Sequence, residues 1–220
     1  MSRLLRIGGI VLALLVALSG VSRADLTFTV TLDTTPLESQ TAQEPFYLDL
    51  TLTGGSQFNT AQATVSSFTF GTGGSAGSSS TISTTNGASG SLGSGVTLND
   101  STSFNDFNQA FNPGSQLQFL VNLATTSYST PIPANFSFSI LDKSGNPIAT
   151  TDPSGANTLL NFDVTGPMPT INLYSSPTEG LGAPTVSYPG SVPEPATLVM
   201  VSLGLGLVMA RSLVGRRRFR

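Results

Sequence analysis

The sequence predicts an all-β domain, a two-sheet antiparallel sandwich of jelly-roll or immunoglobulin-like kind, with a targeting segment at each end of the chain. Apolar side chains recur at every second position in several short segments, which is the period of a half-buried strand. Clusters of Gly, Pro, Asn and Ser separate these segments and indicate turns. The 220 residues, less the two ends, suffice for one domain with a sizeable core.

The strand pattern is clear in four segments and weaker in four others. The clear segments are residues 26–32, 46–52, 117–123 and 136–140. The weaker ones are residues 64–70, 96–98, 159–164 and 170–174. Together they predict roughly eight strands, mostly antiparallel, within a domain at residues 25–175.

Three phenylalanines interrupt the alternation between these strands. Phe104, Phe107 and Phe111 have spacings of three and four, which would place the three rings on one side of a short helix or turn. We predict that they cover one open end of the sandwich. The alternative is an aromatic platform for a ligand.

Two segments lack strand periodicity. In residues 71–95, 20 of 25 residues are Gly, Ser or Thr, and the near absence of apolar side chains predicts a mobile loop. Its hydroxyl groups could also accept O-linked sugar. Residues 176–191 are rich in Pro and Gly and predict an extended linker between the domain and the C-terminal tail.

Composition excludes several kinds of chemistry. The chain has no cysteine and no histidine, so it cannot form disulfides, thiolate or imidazole metal sites, or a Ser-His-Asp triad. Between Asp25 and Val192, the single cation Lys143 stands against eleven carboxylates, which leaves a net charge of −10. That charge repels nucleic acid and anionic lipid, so we predict no nucleic-acid partner.

The sequence around two aspartates in the middle of the chain favours a role in turns over a role in metal binding or catalysis. Asp142, Ser144 and Asn146 alternate as calcium ligands could, but the glycine spacing and the missing closing glutamate favour a turn. Asp152 precedes Pro153 in a segment with turn chemistry and is predicted to cap that turn. We therefore predict no catalytic residue, no cofactor site and no metal site. A carboxylate pair for glycan hydrolysis stays open, because its spacing is a three-dimensional property.

The N-terminus has the three parts of a secretory signal peptide. Arg3 and Arg6 precede an apolar stretch at residues 7–18, and small residues follow. We predict that residues 1–24 are the signal peptide and that cleavage falls between Ala24 and Asp25. Signal peptidase and the general export machinery are the partners that this prediction requires.

The C-terminal tail, residues 192–220, also has an ordered set of parts. A Val-Pro-Glu-Pro motif at residues 192–195 precedes an apolar stretch at residues 196–214 and a basic end at residues 215–220. The apolar stretch is long enough for a transmembrane helix if Arg211 extends its charged group to the interface. The positive-inside rule keeps the basic end, with Arg216, Arg217, Arg218 and Arg220, in the cytoplasm.

This order closely resembles the PEP-CTERM sorting signal, through Pro193, Glu194, Pro195 and the residues after them. The resemblance implies that an exosortase recognises the motif in a Gram-negative bacterium that makes exopolysaccharide and forms biofilm. Most of the preceding domain also resembles one recurrent in PEP-CTERM proteins, through residues 46–50, 104–107 and 151–156. No biochemical activity is assigned to that recurrent domain.

These observations predict a non-enzymatic, exported protein with a structural or interaction role. The precursor is expected to be anchored in the inner membrane and to face the periplasm, and the processed form to reach the cell surface or the exopolysaccharide matrix. The alternatives are a glycan-binding module, with exopolysaccharide as partner, and a carboxylate-dependent glycan hydrolase.

Overall fold

A computed structural model describes residues 26–125, 134–166 and 168–188. The predicted signal peptide, its cleavage site at Ala24 and Asp25, and the whole predicted tail at residues 192–220 lie outside these ranges. Among the described residues, no helix combines the length and hydropathy needed to cross a membrane. The compact unit that contains the described residues ends at Tyr188.

The described residues form strands and two short 3-10 helices, at Thr35–Ser39 and Ser79–Thr81. In chain order, the strands are β1 (Leu26–Leu32), β2 (Phe46–Thr53), β3 (Ala61–Thr69), β4 (Ser75–Ala76), β5 (Ser83–Thr85), β6 (Ala88–Ser91), β7 (Gly95–Asn99), β8 (Asn105–Asn112), β9 (Leu117–Thr125), β10 (Ala134–Leu141), β11 (Leu160–Val164), β12 (Thr170–Leu173) and β13 (Thr185–Ser187).

These strands make two antiparallel sheets, as the sequence predicts for a sandwich. The first sheet has six strands in the order β13-β1-β9-β3-β7-β6. The second has seven, with the order β12-β11-β10-β2-β8-β4 and with β5 also paired to β8. The four clear sequence patterns all fall in strands, namely β1, β2, β9 and β10.

The core lies between the sheets and is built largely from phenylalanine. Alternate side chains of each strand point inward, because successive residues of a strand face opposite sides of a sheet. The ring of Phe28 in β1 lies 4.8 Å from that of Phe162 in β11, tilted by 31°, and Phe119 of β9 meets Phe138 of β10 edge-on at 5.3 Å. All four rings are fully buried, so these ring pairs hold the two sheets together.

Phe107 and Phe111 lie in a strand, β8, which begins directly after Phe104, so the prediction of a short helix or turn is wrong. Phe107 and Phe111 face the core. Gln109 lies between them, also faces inward and is only 2% exposed. Its side chain accepts from Leu92 N at 2.8 Å and donates to Gly77 O at 2.9 Å. A buried but hydrogen-bonded polar residue therefore concealed the strand alternation. Phe104 precedes the strand and is 51% exposed, so its ring is not buried in the core with the other two.

The prediction of a mobile loop at residues 71–95 is also corrected. This range contains β4, β5 and β6, and Leu92 is buried. Its glycines permit close backbone contacts: a Cβ on Gly77 would lie 2.3 Å from Ala110 O. At Gly90, φ is +111° and a Cβ would lie 2.1 Å from Gly95 O. The small side chains thus allow this segment to pack on β7 and β8 despite its low hydrophobicity.

The predicted linker at residues 176–191 is corrected for its first part. Ser176 and Leu181 are buried and form an antiparallel bridge. Strand β13 then pairs with β1, and the Tyr188 ring lies 5.4 Å from Phe28. Hydrogen bonding and ring contact therefore attach the chain to the domain up to Tyr188.

Candidate functional site

The outward side of the seven-stranded sheet carries a continuous set of small polar side chains. In β2, Leu48 and Leu50 are fully buried, so the alternate residues Asp49 and Thr51 point outward. The same alternation holds in β8, β10 and β11. The residues of this polar face are Asp49, Thr51, Thr53, Asp106, Asn108, Asn135, Ser137, Ser139, Asn161 and Asp163.

Two carboxyl groups meet on the polar face. The register of β2 and β8 pairs Thr51 with Asp106 and Asp49 with Asn108, which makes Asp49 and Asp106 diagonal neighbours. Their side chains are hydrogen-bonded to each other. The Thr51 hydroxyl donates to Asp106 Oδ1 at 3.3 Å. The sheet register therefore creates a carboxyl pair between distant parts of the chain.

This pair holds a proton at neutral pH. The pKa of Asp49 is raised to about 8, first by burial and then by the hydrogen bond to Asp106 and the negative charge of Asp106. Two carboxyl groups in contact titrate as a unit, since ionising both would place two negative charges side by side. The raised pKa therefore keeps Asp49 largely protonated at pH 7.

Asp49 makes the stability of the domain fall as the pH rises. Its folded pKa lies above the usual 3.8, so its contribution is complete below pH 3.8 and is lost progressively up to about pH 8. The slope for one proton is at most about 1.4 kcal/mol per pH unit. We predict that Asp49→Asn removes this slope, because an amide can donate to Asp106 without ionising. Urea unfolding at pH 5, 6, 7 and 8 measures it.

An exposed carboxylate provides the control for this experiment. Glu38 lies in the 3-10 helix Thr35–Ser39 and is exposed, so Glu38→Gln should keep the wild-type slope. Equal slopes for the wild type and the Asp49→Asn variant would show that the pair does not hold the proton.

A second group on the polar face is a network of amides around Asp163. Asn135 Nδ2 donates to Asn161 Oδ1 at 2.7 Å and to Asp163 Oδ1 at 2.5 Å. Asn161 Nδ2 returns a bond to Asn135 Oδ1 at 3.1 Å, and Asn172 Nδ2 donates to Asp163 Oδ2 at 3.3 Å. These side chains bridge β10, β11 and β12, so much of their hydrogen-bonding capacity is used within the sheet.

The two aspartates that the sequence assigns to turns do act in turns. Asp152 accepts from the backbone and hydroxyl groups of both Ser154 and Thr158, at 2.7–3.2 Å. Burial raises its pKa, but these four hydrogen bonds outweigh that effect and the net pKa is lowered. Its stabilisation is therefore present at neutral pH and lost as the pH falls through the acid range. Asp142 Oδ1 likewise accepts from Ser144 N and Asn146 N.

Neither of two clefts at the surface contains the carboxyl pair. One is apolar and lies between the sheets, lined by residues that include Leu26, Leu52 and Val164. The other is polar, about 230 Å³, and is lined in part by Asp100, whose carboxylate accepts from Thr60 N at 2.9 Å. Within the described ranges, no cluster of three or more metal-ligating side chains occurs.

The residues for which the sequence predicts a role in sorting lie beyond the described domain. They are Pro193, Glu194, Pro195, Arg216, Arg217, Arg218 and Arg220. Sequence reasoning predicts roles for these residues but does not identify the Asp49–Asp106 pair. The only sequence signal for the pair is that each aspartate occupies a polar position of a strand; the register that joins them is not visible.

Fold and sequence thus define an all-β domain followed by a C-terminal targeting segment. A family model described as the PEP-CTERM protein-sorting motif matches residues 191–218, which include Pro193, Glu194 and Pro195. The chain therefore carries a PEP-CTERM sorting motif, which implies an exported, membrane-processed protein and processing by an exosortase. No curated protein and no solved structure gives a significant match to the chain.

Proposed function

We propose that this protein is a non-enzymatic component of the bacterial cell surface or exopolysaccharide matrix, delivered there by exosortase processing of its tail. The observation that carries the proposal is the sorting motif at residues 191–218, attached to an all-β domain. A signal peptide at residues 1–24 and an inner-membrane precursor that faces the periplasm complete the proposed route. The basic end then stays cytoplasmic until the tail is removed.

The domain supports a structural or interaction role through its polar face. That face is broad, acidic and built from short side chains that hydrogen-bond across β10, β11 and β12. Such a surface stays hydrated and presents polar groups to a neighbouring molecule. Binding of exopolysaccharide by this face is the second candidate, and the half-buried Tyr47 on the same side of β2 favours it.

The carboxyl pair does not have the geometry of a glycan hydrolase. Retaining enzymes hold their two carboxyls about 5–5.5 Å apart and inverting enzymes hold them farther apart, with the substrate between them. Asp49 and Asp106 are in hydrogen-bonded contact, and neither lines the two clefts described above. The pair therefore supports a role in fold stability and pH response more than one in hydrolysis.

Complementation of a deletion strain tests the non-enzymatic role. We expect the Asp49→Asn/Asp106→Asn double variant to restore the wild-type amount of cell-retained polysaccharide, because the substitution keeps the shape of the face and removes the acid–base chemistry of the carboxyl pair. The empty vector and the wild-type gene set the two limits. Immunoblots of surface fractions verify equal export.

A double variant that is exported normally but fails to complement would contradict the proposal and favour hydrolysis. Glu38→Gln, an exposed carboxylate outside the polar face, serves as the matched control. Affinity electrophoresis in gels that contain the producer's own polysaccharide tests the second candidate function, glycan binding. A glycan-binding face would slow the migration of the wild-type protein.

A further inference from the structure

One end of the sandwich gathers the chain's exit and several connecting loops. Sheet register places the start of β1 beside the end of β9, and the end of β2 beside the start of β10. Leu26, Leu52, Leu123 and Val164 from these strand ends line one apolar cleft, so the two sheets share this end. Here it is called the exit end.

The last strand runs toward the exit end. Strand β13 is antiparallel to β1, and its register passes from Thr31↔Thr185 to Thr29↔Ser187, toward the start of β1. Tyr188 follows at the level of Phe28, with the two rings 5.4 Å apart. The chain therefore heads for the tail from this end of the domain.

Large apolar side chains are exposed in three loops of the exit end. They are Phe58 in the β2–β3 loop, 49% exposed, Phe104 before β8, 51% exposed, and Met168 in the β11–β12 loop, 53% exposed. The only other large apolar residues exposed among the described residues are Ile171 and Leu173 of β12, a strand that starts at this end. Exposed apolar surface is thus concentrated near the exit of the chain.

The aromatic residues of this set stand on fixed backbone. A Cβ on Gly54 would lie 2.9 Å from carbons of the Phe58 ring, so the ring rests directly on that glycine. The Phe104 carbonyl accepts from Asn86 Nδ2 at 2.6 Å and from the Thr102 hydroxyl at 2.8 Å. The loops are held by hydrogen bonds while the rings remain exposed, an arrangement typical of an interaction surface.

The short connection between Tyr188 and the sorting tail indicates that these exposed side chains lie near the membrane. The apolar part of the sorting tail begins at Ala196, eight residues after Tyr188. Even fully extended, eight residues span at most about 29 Å. The interfacial region of one leaflet is itself about 5–8 Å deep. While the tail is uncut, a membrane-inserted tail keeps the exit end close to the lipid surface.

We propose that the exit end contacts the membrane and that Phe58, Phe104 and Met168 enter the lipid–water interface while the tail is uncut. The occupant is a zwitterionic lipid surface, because the domain's net charge of −10 opposes anionic headgroups and leaves apolar insertion as the attraction. This inference rests on the proposed function, since it requires the anchored precursor.

Single-tryptophan variants of the full-length protein test the contact, because the chain has no native tryptophan. Phe58→Trp and Phe104→Trp report on the exit end. Tyr47→Trp is the control, since the start of β2 lies at the opposite end of the sandwich. Each variant is reconstituted into phosphatidylcholine vesicles with and without brominated acyl chains. Circular dichroism verifies folding, and flotation verifies membrane association.

We expect brominated lipid to reduce the emission of Phe58→Trp and Phe104→Trp at least twofold, and that of Tyr47→Trp by less than one fifth. Vesicles that float with protein while all three variants stay unquenched would overturn the contact and leave the anchored precursor intact. Equal quenching of all three would overturn the proposed orientation. Protein that fails to float with the vesicles would overturn both the contact and the anchored precursor.

Discussion

Replacing Asn105 with alanine is expected to lower the free energy of unfolding by about 3 kcal/mol, which is a large share of a typical domain's stability. Asn105 is fully buried at the start of β8. Its amide nitrogen donates to Leu52 O at 3.0 Å and to Thr102 O at 2.9 Å. Its oxygen accepts from Gly87 N at 3.0 Å and from the hydroxyls of Ser101 and Thr102.

The effect is large because one fully buried side chain bonds backbone groups from three parts of the chain, which are themselves buried or partly buried. Alanine would leave Leu52 O and Gly87 N without these partners, and each unsatisfied buried group costs about 1–3 kcal/mol. The expected fall in melting temperature is about 6–12 °C. Asn108→Ala, three residues on and facing outward, is the control and should change the melting temperature little. Equal shifts in melting temperature for both variants would show that the hydrogen bonds of Asn105 do not stabilise the domain more than an outward-facing asparagine does.

Replacing the Pro-Glu-Pro motif is expected to abolish processing. The Pro193→Ala/Glu194→Ala/Pro195→Ala variant removes the rigid, charged sequence that the sorting motif places before the apolar stretch. Without that recognition sequence, the protein should remain in the inner membrane at full length. Fractionation followed by immunoblotting measures this retention.

A proline outside the matched range provides the control for the motif. Pro189→Ala lies just before residues 191–218 and should be processed like the wild type. Processing of the triple variant at the wild-type rate would show that the motif is not what the exosortase recognises.

The sequence predicted the strands whose inward residues are all apolar. Strands β1, β2, β9 and β10 show uninterrupted alternation, and each lies where the pattern places it. Strand β8 was missed because Asn105 and Gln109 occupy inward positions. Their hydrogen-bond partners, such as Leu52 and Gly77, are distant in sequence and cannot be identified before the fold is known.

Low apolar content misled the prediction in two other places. Residues 71–95 and the start of the predicted linker contribute few core side chains, but they pair with strands that are already buried. An edge strand such as β13 needs only backbone hydrogen bonds on one side and one or two ring contacts. Amino-acid composition indicates how much apolar surface a segment can bury. It does not indicate whether a neighbouring sheet has an unpaired edge to which the segment can hydrogen-bond.

The two candidate sites differ in whether the sequence alone can identify them. The sorting motif is a contiguous sequence, so the residue order alone identifies it. The Asp49–Asp106 pair depends on the register between β2 and β8, and a shift of one residue would place the two carboxyls on opposite sides of the sheet. Only the three-dimensional structure could show that these two of the eleven carboxylates meet.

The intact mass of the protein recovered from the cell surface of its producing strain tests the central claim most directly. The account predicts a chain that begins at Asp25 and has lost the residues after the Pro-Glu-Pro motif, so that Arg216, Arg217, Arg218 and Arg220 are absent. A surface protein whose mass still includes the complete tail, with the same full-length form in the inner membrane, would contradict exosortase sorting and identify residues 192–220 as a permanent anchor.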